Sequence, residues 1–179
     1  KAPPPEMTES MQPRRPSYKP GMVYAVPLVD GSFGLAQAGS PMFPNVIYVA
    51  LFLDLFLALP TEIPRLDASR VISLTATWRK NLNRGEWIPL GISEPTLDLL
   101  KHPTQALAGV GYLGAKHYDA GLLSEFLSTC HGLLPWNVMY DPAYYEKLLL
   151  SRCARPEKVV VLGEGERTAY RHEVLGVGG

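Results

Sequence analysis

One place in the chain sets a possible nucleophile beside a possible base: Cys130-His131. A thiolate paired with an imidazole can attack a carbonyl or phosphoryl centre, so a thiol hydrolase is one chemistry to weigh. The pair ends an apolar stretch, "DAGLLSEFLSTCHG" (119–132), in which Leu122, Leu123, Phe126, Leu127 and Cys130 share a helical stripe. Neighbours in a helix point about 100° apart, which turns the imidazole away from the thiol and favours packing for Cys130. His102, His117, His131 and His172 lack the i, i+4 spacing and clustered partners of a metal site, so no metal or other cofactor is expected. The carboxylates Asp54, Glu62, Asp67, Glu86, Glu94, Asp98, Asp119, Glu125 and Asp141 are dispersed. An acid-base pair could then arise only through the fold. "GVGYLG" (109–114) and "GEGER" (163–167) carry glycine pairs, yet neither follows a strand and opens a capped helix, so both read as loops. "GLLPWNVMYDPAYYEKLLL" (132–150) gathers Trp136, Tyr140, Tyr144 and Tyr145 near turn residues. Such rings can anchor a partner or close a core. Core closure is the commoner use, with the edge from Asn137 to Tyr140 as a secondary contact site.

Composition bounds the setting of these residues. A chain of 179 residues with 46% hydrophobic and 19% charged residues suits one globular domain. Seventeen basic side chains balance seventeen acidic ones, which speaks against a general nucleic-acid binder. Two cysteines, Cys130 and Cys153, and no visible signal peptide favour reduced thiols in a cytoplasmic protein. The first residue is lysine, so what precedes it is open. The apolar run "VIYVALFLDLFLALP" (46–60) contains Asp54 and is shorter than the roughly 20 residues of a membrane span, so a buried strand is expected there and no membrane insertion.

The elements read as strands first and helices later. Residues 1–17 form a proline-rich arm, 18–165 the domain and 166–179 a C-terminal tail that frays at its closing "GVGG". "MVYAVPLVDGSFGLAQA" (22–38) predicts a hairpin turning at Asp30-Gly31, with Pro27 pushing its first strand to a sheet edge or a bulge. Strands follow at 46–53, 69–78 and 86–90, with a turn at Asn83–Gly85. Helices are expected at 93–102, at 119–131 (capped by Asp119 and ended by Gly132) and at 142–152, where Asp141 caps and Pro142 takes the first helical position. The valines of "KVVVLGEG" predict a last strand buried on both sides. The fold class is α+β: a bent antiparallel sheet or SH3-like partial barrel with two or three packed helices.

The order of these pieces resembles the immunity protein 26 family of bacterial polymorphic-toxin systems. The likeness lies in the Gly21 strand "GMVYAVPL", the Asp30-Gly31 turn, Phe33-Gly34, and Trp87 followed by "IPLG". It continues in "GLLPW" (132–136), Asp141-Pro142, the leucine run 148–150 and Arg155-Pro156, and covers about residues 18–162. Met22 and Asn137 stand where the family more often has aspartate. The resemblance implies a non-catalytic inhibitor that binds and neutralises a cognate toxin effector, with the toxin's activity open. An effector-loading adaptor or chaperone is the alternative, and a thiol hydrolase using Cys130 a weaker one. The expected partner contacts are Asp30, Phe33, Arg79, Arg84, Glu86, Asn137 and Tyr140.

Overall fold

The computed structural model describes residues 16–98, 102–111 and 113–177, so nearly all of the expected proline-rich arm lies outside the described residues. The chain is α+β. Five strands, β1 (Met22–Pro27), β2 (Phe33–Phe43), β3 (Val46–Phe56), β4 (Val71–Trp78) and β5 (Ile88–Ile92), form one antiparallel sheet in the order β4-β3-β2-β1-β5. The sheet is open, and register shifts along β1–β5, β2–β3 and β3–β4 bend it. Three helices, α1 (Arg79–Arg84), α2 (Ala120–Cys130) and α3 (Glu164–Glu173), accompany it, with short 3-10 turns at Ala68–Arg70, Pro103–Val110 and Tyr145–Leu148.

The β1–β2 hairpin turns where the sequence predicts. Gly31 donates to the Leu28 carbonyl and Leu28 to that of Ser32, closing a three-residue loop whose last residue, Gly31, has φ +86°. Pro27 does not push β1 to an edge, because β1 lies between β2 and β5. Its pairing with β5 stops at Ala25, so the missing N–H of Pro27 interrupts no ladder on that side. Pro89 does sit on the edge strand β5.

Alternation along β1 and β3 sends Met22, Tyr24, Val26, Ile47, Val49 and Leu51 to one face. Leu123, Phe126, Leu127 and Cys130 of α2 cover them, with Trp136, Tyr145 and Leu148. Val23, Val46, Tyr48, Ala50 and Phe52 point to the other face, which Leu97 and the half-buried Ile63, Leu66 and Leu90 cover. With both faces buried, "VIYVALFLDLF" needs no membrane; among the described residues no helix is long and apolar enough to cross one.

Five expectations require correction. Of the helix expected at 93–102, residues 99–101 lie outside the described residues and residues 93–98 are not helical. Buried Gln37 clamps them, donating to the Glu94 carbonyl (2.9 Å) while its Oε1 accepts from the Thr96 N–H (2.8 Å). The expected helix 142–152 shrinks to one 3-10 turn, although Asp141 does accept from the Ala143 N–H (2.9 Å). The chain leaves helical geometry at Leu149 so that Leu150 can donate to the Ile72 carbonyl (2.8 Å) and Arg152 to that of Val71 (3.0 Å), closing part of the β4 edge. The valines 159–161 make no buried strand: only a single bridge joins Val160 to Pro135, and Val160 and Val161 are 45% and 50% exposed. "GEGER", expected as a loop, opens α3, which runs from Glu164 to Glu173 and so crosses the expected domain end at 165 into the tail. Glu166 accepts from the Gly163 N–H at 3.0 Å, and Arg167 and Arg171 tie α3 to the carbonyls of residues 137–140. The expected turn Asn83–Gly85 is the end of α1, with Gly85 at φ +76°.

Candidate partner-binding surface

Cys130 closes α2 under the core, and burial pushes its thiol up to about 12. At neutral pH it stays protonated and lacks the thiolate a nucleophile needs. His131 is lowered by burial first and then by the charges of Lys158 and Arg70, against the opposite pull of Asp30 and Asp54. Its Nε2 is buried without a partner, so it takes no proton from the neighbouring sulfur through that atom. The two residues line a cavity of about 720 Å³ together with Leu53, Asp54, Arg70 and Lys158, where Arg70 Nε stands 3.6 Å from Asp54 Oδ1. Both cysteines are free thiols.

The histidines stay apart. His102 is buried against Tyr48, its ring centroid 4.4 Å away. Its Nδ1 accepts from the Thr104 N–H, which places the proton on Nε2 for donation to the Thr75 carbonyl (3.0 Å). His117 stacks edge-on against Trp78 at 4.3 Å, and His172 lies exposed on α3. Among the described residues no three His, Cys, Asp or Glu side chains are placed to share a metal ion.

The aromatic stretch divides as its spacing suggests. Trp136 and Tyr145 are buried and pack on each other and on Phe126 at 5.6–6.0 Å, sealing α2 to the sheet. The Trp136 indole N–H donates to Glu146, which also holds Arg155. Tyr140 is 91% exposed.

The seven expected contact residues fall into three separate places. Asp30 lies exposed in the β1–β2 turn, its carboxylate held low by hydrogen bonds from Ser32, and Phe33 is half-buried beside it opposite Phe56. Arg79, Arg84 and Glu86 lie on or just after α1, which starts where β4 ends opposite Val46, whereas Phe33 pairs with Phe56 at the opposite end of β3. Asn137 and Tyr140 form the third place. Both ends of the Asn137 amide are spent on the Leu162 backbone (2.8 and 2.9 Å), so it positions the loop and offers little to a partner.

The α1 end carries the most developed surface. "RKNLNR" supplies Arg79, Lys80 and Arg84 with no acidic residue in the helix. Asn81 donates to Asp119 (3.1 Å), which also caps α2, so α1 is pinned to the longer helix. Glu86 is raised by burial first and then by the Asp119 charge, with Arg84 and Lys80 opposing. Tyr18 completes the face together with Trp78, which in sequence flanks a turn with Trp87 and suits either core closure or an interface. The Arg79 guanidinium lies over the Tyr18 ring (5.4 Å) and the Lys80 ammonium over Trp78 (5.6 Å). Tyr18 is fixed by its N–H on Asn83 Oδ1 (2.8 Å) and its hydroxyl on the Gly39 carbonyl. Trp78, Arg79, Lys80, Asn83 and Asn45 line an open cleft of about 400 Å³. The clue in sequence was aromatic-cation adjacency, "TWRK", which reads equally as a strand end.

Compared with known protein families, with curated proteins and with solved structures, the chain has no match.

Proposed function

We propose that this chain works by covering another protein's surface, and that it is an immunity protein neutralising a cognate bacterial toxin effector. One observation carries the binding role: Tyr18, Trp78, Arg79 and Lys80 are held in place around an open cleft at the end of the sheet. Large rings with few rotors and cations already oriented lose little freedom on docking, the usual make-up of energetic centres in interfaces. Arg79 and Lys80 beside the cleft suit an acidic patch on the partner, which would also speed encounter. A standard complex buries about 800 Å² on each side, so the face around α1 would be its centre and not its whole. The toxin as partner rests on the sequence resemblance, as do a cytoplasmic site of action and the lack of a cofactor. The high thiol pKa of Cys130 supports binding over thiolate catalysis.

The test is co-expression with the effector domain encoded beside the gene. Cells carrying that domain alone should die and cells carrying both should survive, with protection lost in Arg79→Glu/Lys80→Glu. A complex without protection would replace the immunity reading with an effector-loading adaptor. Neither complex nor protection would overturn the proposal.

A further inference from the structure

β3 is longer than the helix that covers it. Alternation puts Leu53 and Leu55 on the same face as Val49 and Leu51, where α2 packs. But α2 stops at Cys130, and the chain turns away at Gly132, φ +73°. Past that stop Leu53 and Leu55 stay half-buried, and residues 155–158 supply a further wall of the 720 Å³ cavity beside Cys130 and His131. A hollow of that volume suits a small organic molecule and far exceeds the needs of an inorganic ion. Arg70 is held in its wall, with Nη2 donating to the Leu53 carbonyl and Nε 3.6 Å from Asp54. Arg155 is committed to Glu146, whereas Lys158 has no salt-bridge partner among the described residues. Lys158 and Arg70 also act more strongly on His131 than Asp30 and Asp54 do, and Glu157 is not among the charges that reach it, so the field there is positive. His131 itself is unfinished, its Nε2 buried with no hydrogen-bond partner.

We propose that this hollow is a site for a small organic carboxylate, its anion set beside His131 among Lys158 and Arg70 and its apolar body on Leu53, Leu55 and Pro156. Lys158 supplies the uncompensated charge, and Arg70 is oriented beforehand by its own bonds, which lowers the cost of binding. Asp54 stays beside Arg70, so a singly charged head suits the space better than a phosphate dianion. Because Nε2 of His131 is closed off, the imidazole acts on the ligand through charge and not through that atom. The α1 cleft lies at the other end of β3, so this site works apart from the proposed partner face.

The probe is 1-naphthoate, with 1-naphthamide as its uncharged match, titrated into the full chain to about 5 mM and followed by NMR of the amide and histidine-ring signals. The acid should bind with a Kd of about 1 mM or below, and the amide at least about tenfold more weakly. Lys158→Met should weaken naphthoate binding about tenfold and Lys158→Arg should restore it. The side chain is exposed, and circular dichroism would confirm that both variants are folded. A bound anion offsets the charges of Lys158 and Arg70 and adds to those of Asp30 and Asp54, so the His131 midpoint should rise. By linkage naphthoate should then bind more tightly at about pH 6 than at about pH 7.5. No binding, equal binding of acid and amide, a Lys158→Met variant that binds as well as the original chain, or an unmoved His131 midpoint would overturn the proposal.

Discussion

Adding one methyl group to each of two glycines separates backbone strain from packing in this fold. Gly132 ends α2 at φ +73°, and a Cβ there would stand 2.3 Å from the Lys158 carbonyl oxygen. Gly31, in the β1–β2 turn, has φ +86° and no atom within 4 Å of the corresponding position. Gly132→Ala and Gly31→Ala thus share the cost of a left-handed backbone, about 1–2 kcal/mol. Only the first must also displace a main-chain atom, and by at least 0.7 Å if the contact is to open from 2.3 Å to the 3.0 Å that real Cβ atoms keep. Lys158 leads directly into the segment held by the Trp136–Val160 hydrogen bond and the two Asn137–Leu162 bonds. Losing two of these adds about 2 kcal/mol. Gly132→Ala should therefore cost about 3–4 kcal/mol and Gly31→Ala about 1–2 kcal/mol. For a chain of this length that is a fall in Tm of about 10 °C against about 4 °C. Urea unfolding followed by tryptophan fluorescence measures both, and the Trp136 environment should change in the first variant alone. Equal losses would refute the claim that the close approach of Lys158 to α2 limits this corner of the fold.

His102 is lowered chiefly by burial, so the unfolded chain binds its proton more readily. Its contribution is fully present above the ordinary value near 6.5 and is lost as pH falls below that value toward the lowered one; His102→Gln should flatten the fall in urea midpoint between about pH 6.5 and 5. A thiol reagent at pH 8 should modify the half-buried Cys153 well before Cys130, whose thiol is buried and pushed up to about 12; equal rates would contradict the packing of α2. Gln37→Leu should leave the Glu94 carbonyl and the Thr96 N–H unpaired under the sheet and cost about 2–3 kcal/mol, read as an earlier urea midpoint and faster amide exchange over residues 93–98.

Where local chemistry and tertiary demand agreed, the chain was legible. Asp119 as cap, the stripe Leu123–Phe126–Leu127–Cys130 and Gly132 as stop define α2 to within a residue. The Asp30-Gly31 turn and the apolar run at 46 mark the hairpin and β3. Asp141-Pro142 is an equally good helix start, but the edge of β4 needed donors at Leu150 and Arg152, and satisfying a sheet edge outweighed the propensity of four leucine-rich residues. Residues 93–98 lost their helix to the side chain of Gln37, some sixty positions earlier, which no local pattern reveals. For α3 a signal existed: Glu166 three residues after Gly163 is half of a capping arrangement, hidden by reading the glycines as a loop. The candidate surface was partly visible, since Arg79 and Arg84 share a short cationic helix, while Tyr18 joins them only because its hydroxyl reaches Gly39.

Composition and periodicity by themselves determined the class of architecture, the five strands of the sheet and the placement of Cys130 in a core, because burial of alternating or striped apolar residues is a local property of the chain. Tertiary structure alone decided which strand became an edge, which carbonyls at that edge required donors, and that Asp30, Arg79 and Tyr140 stand at three separate places. Those outcomes depend on hydrogen bonds and contacts between residues tens of positions apart, and such pairings leave no trace in the spacing of either partner.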